Sequence, residues 1–186
     1  MSRYINNCMN EWNVLIEALG QGKQSVLFKK YKSKQDNFLL YPTITYANKK
    51  DTLNGFKQKH EEFVKDNLYP TREDKKYEVK YYAEVKDIIN IPFIKLINYN
   101  YLSIVTTRFI AQELSQNNIY LWLLRVYKLD QPLMLERSPG KLYSHIKDCK
   151  IDVENLKPVL SDKEFERIER LIRLAKSGEM VNEYTL

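Results

Sequence analysis

Apolar residues along this chain change period several times, and those changes outline its elements. Between residues 7 and 19, Met9, Trp12, Leu15, Ile16 and Leu19 recur at helical spacing before Gly20 and Gly22, so the pattern predicts a first helix. Trp12 on that face reads as core packing. Two short apolar runs follow, Ser25-Val26-Leu27-Phe28-Lys29-Lys30-Tyr31 and Asn37-Phe38-Leu39-Leu40-Tyr41-Pro42-Thr43. The polar bridge Lys32-Ser33-Lys34-Gln35-Asp36 between them suggests a strand, a turn and a second strand. Pro42 has no donor for a ladder and favours a strand end or an edge. Over residues 51–67, Leu53, Phe56, His60, Phe63 and Val64 share a face, which predicts a second helix, and Tyr69-Pro70-Thr71 breaks it.

Residues 77–91 alternate for part of their length and are rich in Val, Ile and Tyr, so a strand is expected. Ser103 or Thr106 opens a short helix through Phe109, Ile110 and Leu114, and Ser115-Gln116-Asn117-Asn118 reads as a loop. Residues 119–129 carry the strongest strand pattern. Apolar side chains on both of its faces imply a central strand covered on each side. Asp130-Gln131-Pro132 is expected to turn the chain into Leu133-Met134-Leu135. Over residues 161–175, Ser161 and Glu164 form a capping box, and Phe165, Ile168, Leu171, Ile172 and Ala175 form a buried stripe. Gly178 stops that helix, and residues 179–186 are expected to form a frayed tail. Helices at both ends with strands between them indicate an α+β fold. Its centre is expected to be a small bent mixed or antiparallel sheet, or a partly open barrel, within one domain spanning residues 1–186.

Composition narrows the function classes. The 186 residues include 44% hydrophobic and 12% aromatic positions with only 5 glycines and 6 prolines, which are globular values. A net charge of +6 suits an anionic partner, DNA or RNA. Enrichment in Lys, Asn, Ile and Tyr from an AT-rich genome explains the same excess. Cys8 and Cys149 form no CxxC pair, and Met1-Ser2-Arg3-Tyr4 does not read as a secretory leader, so a reducing cytoplasmic setting is expected. His60 and His145 have no ligand-like spacing to either cysteine, so neither a metal nor a cofactor is expected. The most membrane-like window, residues 88–107, contains Pro92, Lys95, Asn90, Asn98 and Asn100, and no membrane association is expected.

Catalytic patterns are weak. Glu78-Val79-Lys80 and Glu84-Val85-Lys86, with Asp66 or Asp74 upstream, fit the short half of a PD-(D/E)xK nuclease motif, in which two carboxylates hold Mg²⁺. Alternating charge on a solvated strand face produces the same triplets in a chain that is 29% charged. There is no GxSxG elbow and no P-loop, since Gly20-Gln21-Gly22-Lys23 lacks the spacing. No residue is assigned a catalytic role. The basic-aromatic groups say more: Phe28-Lys29-Lys30-Tyr31-Lys32 with Lys34, and Trp122 with Arg125 and Tyr127, combine rings that stack on bases with cations that neutralise phosphates. Core packing and a solvated hairpin are the bland alternatives. Arg125, flanked by Leu123, Leu124 and Val126, requires a carboxylate or an anionic ligand, with Glu136 or Glu84 as the expected internal partner. The candidate nucleic-acid contacts are Lys29, Lys30, Tyr41, Thr43, Trp122 and Arg125.

These residues also carry a resemblance. Glu11-Trp12, Glu17-Ala18-Leu19, Gly22, Val26-Leu27-Phe28-Lys29-Lys30 and Phe38-Leu39-Leu40-Tyr41-Pro42-Thr43 stand in an order that resembles a bacterial family known as domain of unknown function 1802. Leu124-Arg125-Val126-Tyr127 with Leu129 and Pro132 extends the likeness over most of the chain. Tyr31-Lys32-Ser33 replaces the family's usual Gly-Gly-Ile, and Tyr46 stands where a histidine tends to follow Pro-Thr. If that histidine served chemistry, this chain would lack it. The resemblance implies a role near DNA restriction and modification, with a restriction-endonuclease-like protein as partner. A looser likeness of pattern, from Tyr82-Ala83-Glu84-Val85 and residues 123–133, is to the small barrels of the PUA, ASCH and EVE type, which implies binding of RNA or modified bases. The leading expectation is a non-catalytic nucleic-acid-binding or modified-base-reading accessory domain. The alternatives are a protein-interaction module and the metal-dependent nuclease.

Overall fold

Two long antiparallel strands, residues 76–92 and 118–135, form the spine of the fold in a computed structural model that describes residues 3–45, 47–48, 51–114 and 118–179. In chain order the elements are β1 (Tyr4–Ile5), β2 (Asn7–Trp12), α1 (Asn13–Gly20), β3 (Val26–Lys29), β4 (Asn37–Thr43), α2 (Glu61–Asp66) and β5 (Arg72–Glu73). There follow β6 (Lys76–Pro92), α3 (Thr107–Leu114), β7 (Asn118–Leu135), β8 (Tyr143–His145), β9 (Ile151–Asp152), β10 (Lys157–Pro158) and α4 (Asp162–Ser177). Short 3-10 segments cover Thr52–Gly55, Gln58–His60 and Phe93–Leu102. The main sheet runs β10-β7-β6-β4-β2-β8, with β3 on β7 and β5 on β6, while β1 and β9 pair separately. Among the described residues only β2 and β4 pair in parallel, so the sheet is mixed, and it stays open. This is the expected α+β architecture.

Both faces of the sheet are covered, which explains why β7 is apolar on both sides. On one face Met9, Phe38, Leu40, Tyr81, Ala83, Trp122, Leu124 and Val126 pack with Ile16 and Leu19 of α1. On the other, Val26, Ile91, Leu121 and Leu123 pack with Phe165, Leu171, Ile172 and Ala175 of α4. A bulge keeps both sets in register. Val85 faces Leu124 and Asp87 faces Leu123, so Lys86 is the extra residue, and Val85 and Ile88 both join the α1 side despite being three apart.

Several expectations hold. β6 and β7 lie where the alternation placed them, and Thr106 opens α3 through its hydroxyl, which accepts from the Phe109 N–H at 3.2 Å. α4 begins at the Ser161–Glu164 capping box and ends at Gly178, whose φ of 105° is left-handed. Of the loop read at residues 115–118, Asn118 instead begins β7 and residues 115–117 lie outside the described residues, as does the tail read at residues 179–186 beyond Glu179.

Others need correction. The first helix starts at Asn13 rather than residue 7, because residues 7–12 form β2, buried on nearly all its positions. A strand covered on both faces has no alternation to display, so Met9 and Trp12 mimic helical spacing. β3 and β4 are not a hairpin. β3 pairs with β7, from Val26↔Leu123 to Lys29↔Tyr120, and β4 lies between β2 and β6. The helix read over residues 51–67 divides into two 3-10 turns and the short α2. Asp130-Gln131-Pro132 does not end the strand. Val79 faces Leu133 and Tyr81 faces Lys128, so these residues bulge out and Leu133-Met134-Leu135 rejoins the same partner. Among the described residues, no helix is long and apolar enough to cross a membrane.

Candidate nucleic-acid interface

The end of β2, the start of α1, the outer side of β3 and the helix α3 enclose a cleft of about 270 Å³. Its position follows from topology. β3 leaves β7 at Lys29, α1 turns away after Trp12, and α3 closes the third side. Trp12, Phe28, Phe109, Val105 and Ile110 give it apolar and aromatic walls. Trp12 packs on Phe56 and Phe109 at ring-centroid distances of 5.1 and 6.3 Å, which fixes the orientation of that wall. Gln24 fastens another wall: its Oε1 accepts from the Ile104 N–H at 3.0 Å and its Nε2 donates to the Val26 carbonyl at 2.9 Å.

A charged pair lies against these rings. Lys29 donates from Nζ to Glu11 Oε2, and the two side chains are only 14% and 10% exposed. Glu11 Oε1 accepts the Trp12 backbone N–H at 2.8 Å, which holds the carboxylate in place just before α1. In a pair this sheltered each ion satisfies the other; removal of either would strand a charge with little water around it. Lys30 and Tyr31 stand at the mouth of the cleft, with Glu113 of α3 on its lining. The Lys29–Glu11 pair thus sits beside a space lined by aliphatic and aromatic side chains. Beyond the mouth, Lys30, Lys32 and Lys34 are exposed on the segment that leaves β3.

The sequence candidates divide. Lys29 and Lys30 belong to the cleft. Trp122 lies beneath it, fully buried, with Nε1 donating to the Tyr31 carbonyl at 2.9 Å and Lys29 Nζ 5.9 Å from its ring, so it supports the site from the core and has no face left for a base. Tyr41 is buried elsewhere and donates to the Leu135 carbonyl at 2.9 Å; burial pushes its phenol up to about 12. Thr43 ends β4 opposite Trp12. Arg125 packs on the α4 side of the sheet, over the Phe165 ring at 4.7 Å. Its ion pair is with Asp162 at 2.7 Å rather than with Glu136 or Glu84. Glu136 instead pairs with Lys147. Tyr46 lies outside the described residues.

Glu84 of the nuclease pattern is surrounded by hydrogen-bond donors. Its carboxylate accepts from Arg3 at 3.1 Å, Lys86 at 2.6 Å and the Tyr82 and Tyr127 hydroxyls at 3.2 Å each. Burial raises its pKa, but these donors outweigh burial and hold the group below the usual carboxylate range. Among the described residues, no three His, Cys, Asp or Glu side chains converge as a ligand group.

Sequence reasoning passed over Glu11, Trp12, Phe109 and Glu113 as site residues. Only the Glu11-Trp12 dipeptide left a trace, an acid beside a tryptophan, and it served there as a family mark. Comparison with known proteins bears directly on that mark. The profile of the family described as Domain of unknown function (DUF1802) matches residues 8–170. The chain belongs to this family. The match spans all the residues that line the cleft, from Glu11 to Leu114, together with the capping box of α4. Among solved structures, this DUF1802 chain is similar to a serine-to-alanine mutant of the ASCH protein from Zymomonas mobilis, with 12% identity over 92% of this chain and 99% of that one and a TM-score of 0.48. It is also similar to the crystal structure of ASCH from Zymomonas mobilis, with 13% identity over 89% and 94% of the two chains and a TM-score of 0.43. No curated protein matches it.

Proposed function

We propose that this DUF1802 domain is a non-catalytic binder of single-stranded nucleic acid that seats one base in the cleft between β3, α1 and α3. The observation that supports this reading is the sheltered Glu11–Lys29 pair set among Trp12, Phe28 and Phe109, with exposed lysines immediately outside. Size and charge argue together. At about 270 Å³ the space falls just under the range of roughly 300–1,000 Å³ typical of drug-sized ligands, so it suits one planar ring rather than a whole nucleotide or a peptide. Lys29 neutralised by Glu11 favours a neutral heterocycle over a phosphate. Phosphates would lie on Lys30, Lys32 and Lys34, which are exposed and stand outside that pair.

Titration of labelled single-stranded DNA and RNA at several salt concentrations tests this reading. Affinity should fall steeply with salt, and the fluorescence of Trp12 should change as the base enters. The absence of salt-sensitive binding to either nucleic acid would sink the proposal.

A protein-interaction role has one observation of its own. Phe93, Ile94 and Ile97 on the 3-10 segment are 42%, 86% and 52% exposed. Co-purification of a defined protein partner free of nucleic acid, and its loss in Ile94→Glu, would favour that reading.

A further inference from the structure

We propose that the base selected by the cleft is guanine, an inference that rests on the base-binding reading above and adds a specificity to it. The site is rich in acceptors. Glu11 spends one lone pair on the Trp12 N–H and one on Lys29, and a carboxylate has about four lone-pair positions, so both oxygens can still accept. Glu113 contributes a second carboxylate to the lining. The donor nearest to Glu11 is Lys29, whose ammonium carries three N–H groups and gives one of them to that carboxylate.

The complementary base edge therefore presents two adjacent N–H donors to Glu11, with a carbonyl beside them for Lys29. Guanine has that edge: N1–H and N2–H₂ side by side, next to O6. Adenine and cytosine present one exocyclic amino group beside a bare ring nitrogen, which would face a carboxylate lone pair to lone pair. Uracil presents one N–H between two carbonyls, and either carbonyl would meet an acidic wall. Phe28 and Phe109, the half-buried rings of the lining, stack on any base and do not discriminate, so selectivity falls to the charged pair. Because that pair is sheltered from water, a mismatched edge leaves polar groups unpaired, and it is this penalty that gives the site its discrimination.

The experiment uses the unaltered protein bound to a labelled single-stranded oligonucleotide of mixed sequence and competes it with GMP, IMP, AMP, CMP and UMP. GMP is expected to displace the oligonucleotide at a concentration at least about tenfold lower than AMP, CMP or UMP require, because each charged hydrogen bond lost at the pair costs about tenfold or more. IMP, which keeps N1–H and O6 but lacks the 2-amino group, should fall between. Glu11→Gln should erase the order, but it strands Lys29 and risks unfolding, so the analogue series carries the decision. Equal displacement by all five nucleotides overturns the guanine assignment and leaves base binding standing. Displacement by none of them, while the oligonucleotide still binds, overturns the cleft as a base site and the guanine assignment with it. Failure of the oligonucleotide itself to bind removes the underlying reading first.

Discussion

Gly20, the last residue of α1, lies directly against the ring of Tyr81: a Cβ added at Gly20 would stand 2.0 Å from Tyr81 Cζ. The ring cannot swing away cheaply, because its hydroxyl donates to Glu17 Oε2 at 3.2 Å and the side chain is 5% exposed. Lys80 reinforces the arrangement from β6, with Nζ 2.8 Å from Glu17 Oε1. Glycine therefore brings the end of α1 down onto the sheet, and α1 in turn forms one side of the cleft.

This contact sets two effects against each other in Gly20→Ala. Helix propensity favours alanine by up to about 1 kcal/mol. Overpacking against an anchored ring costs about 1–3 kcal/mol, and a separation this short belongs at the upper end. The expected outcome is net destabilisation, read as a lower urea midpoint with an unchanged slope. An unchanged or raised midpoint would show that the ring yields.

The Glu11–Lys29 pair makes a second prediction. Lys29→Met leaves the Glu11 carboxylate almost out of water, and breaking a buried pair on one side costs about 3–5 kcal/mol. Removing both charges together in Glu11→Gln/Lys29→Met should recover most of that loss, since neither ion is then stranded. A double-mutant cycle by chemical denaturation measures the coupling. Additive losses would mean that the two side chains do not depend on each other. Nucleic-acid binding should stay weak in the double variant even where stability returns, which separates the role of the pair in function from its role in the fold.

How far the sequence disclosed this site depends on which contacts are local. α4 was legible because capping box, apolar stripe and terminal glycine lie within 18 residues of one another and act through helix geometry alone. β7 was legible because burial on both faces leaves a run that few other elements tolerate. β2 was misread for the same physical reason: full burial erases period 2, and Met9 and Trp12 then fit a helix. Strand partners were not legible at all. Nothing in Val26-Leu27-Phe28-Lys29 shows that its ladder lies with β7, some hundred residues away in sequence, rather than with the neighbouring run at Phe38. Lys29 was found by composition. Its counterion Glu11 was not, because the pairing arises only when β2 and β3 are carried together by strands that neither of them touches in sequence. The same holds for Arg125, where the need for a carboxylate was evident and its supplier, Asp162 at the start of α4, was not.

The exposed lysines outside the cleft predict how binding responds to salt. Each phosphate neutralised on a single strand contributes about 0.7 to the slope of log affinity against log salt. Lys30→Ala should reduce the slope by about that amount and weaken binding to all sequences alike, with Lys32→Ala and Lys34→Ala acting similarly if the strand follows the segment beyond β3. Stability should stay nearly constant, since these side chains are exposed. Fluorescence anisotropy across a salt series reads the slope directly, and three variants with the parental slope would move the phosphate path elsewhere.

Lys57 predicts a pH dependence of stability. Its ammonium donates to the carbonyls of Asn100 and Ser103, tying the segment before α2 to the end of the 3-10 turn at Phe93–Leu102. Burial, with Lys59 adding repulsion, pushes the group down from its ordinary 10.5 to about 8. The unfolded chain therefore binds more protons than the folded one between these two values, and stability attributable to Lys57 rises with pH across that interval. Below about pH 8 both states are protonated and the cost of sheltering the charge is fully present and constant. Lys57→Met loses two hydrogen bonds, a penalty that does not vary with pH, and it also loses the titration. Subtracting the variant's unfolding free energy from that of the unaltered protein should give a flat difference from pH 6 to about 7.5 and a rising one from there to about 9.5, before tyrosines begin to titrate. A difference that stays flat across the whole range would show that the Lys57 ammonium is as well solvated in the folded chain as in the unfolded one.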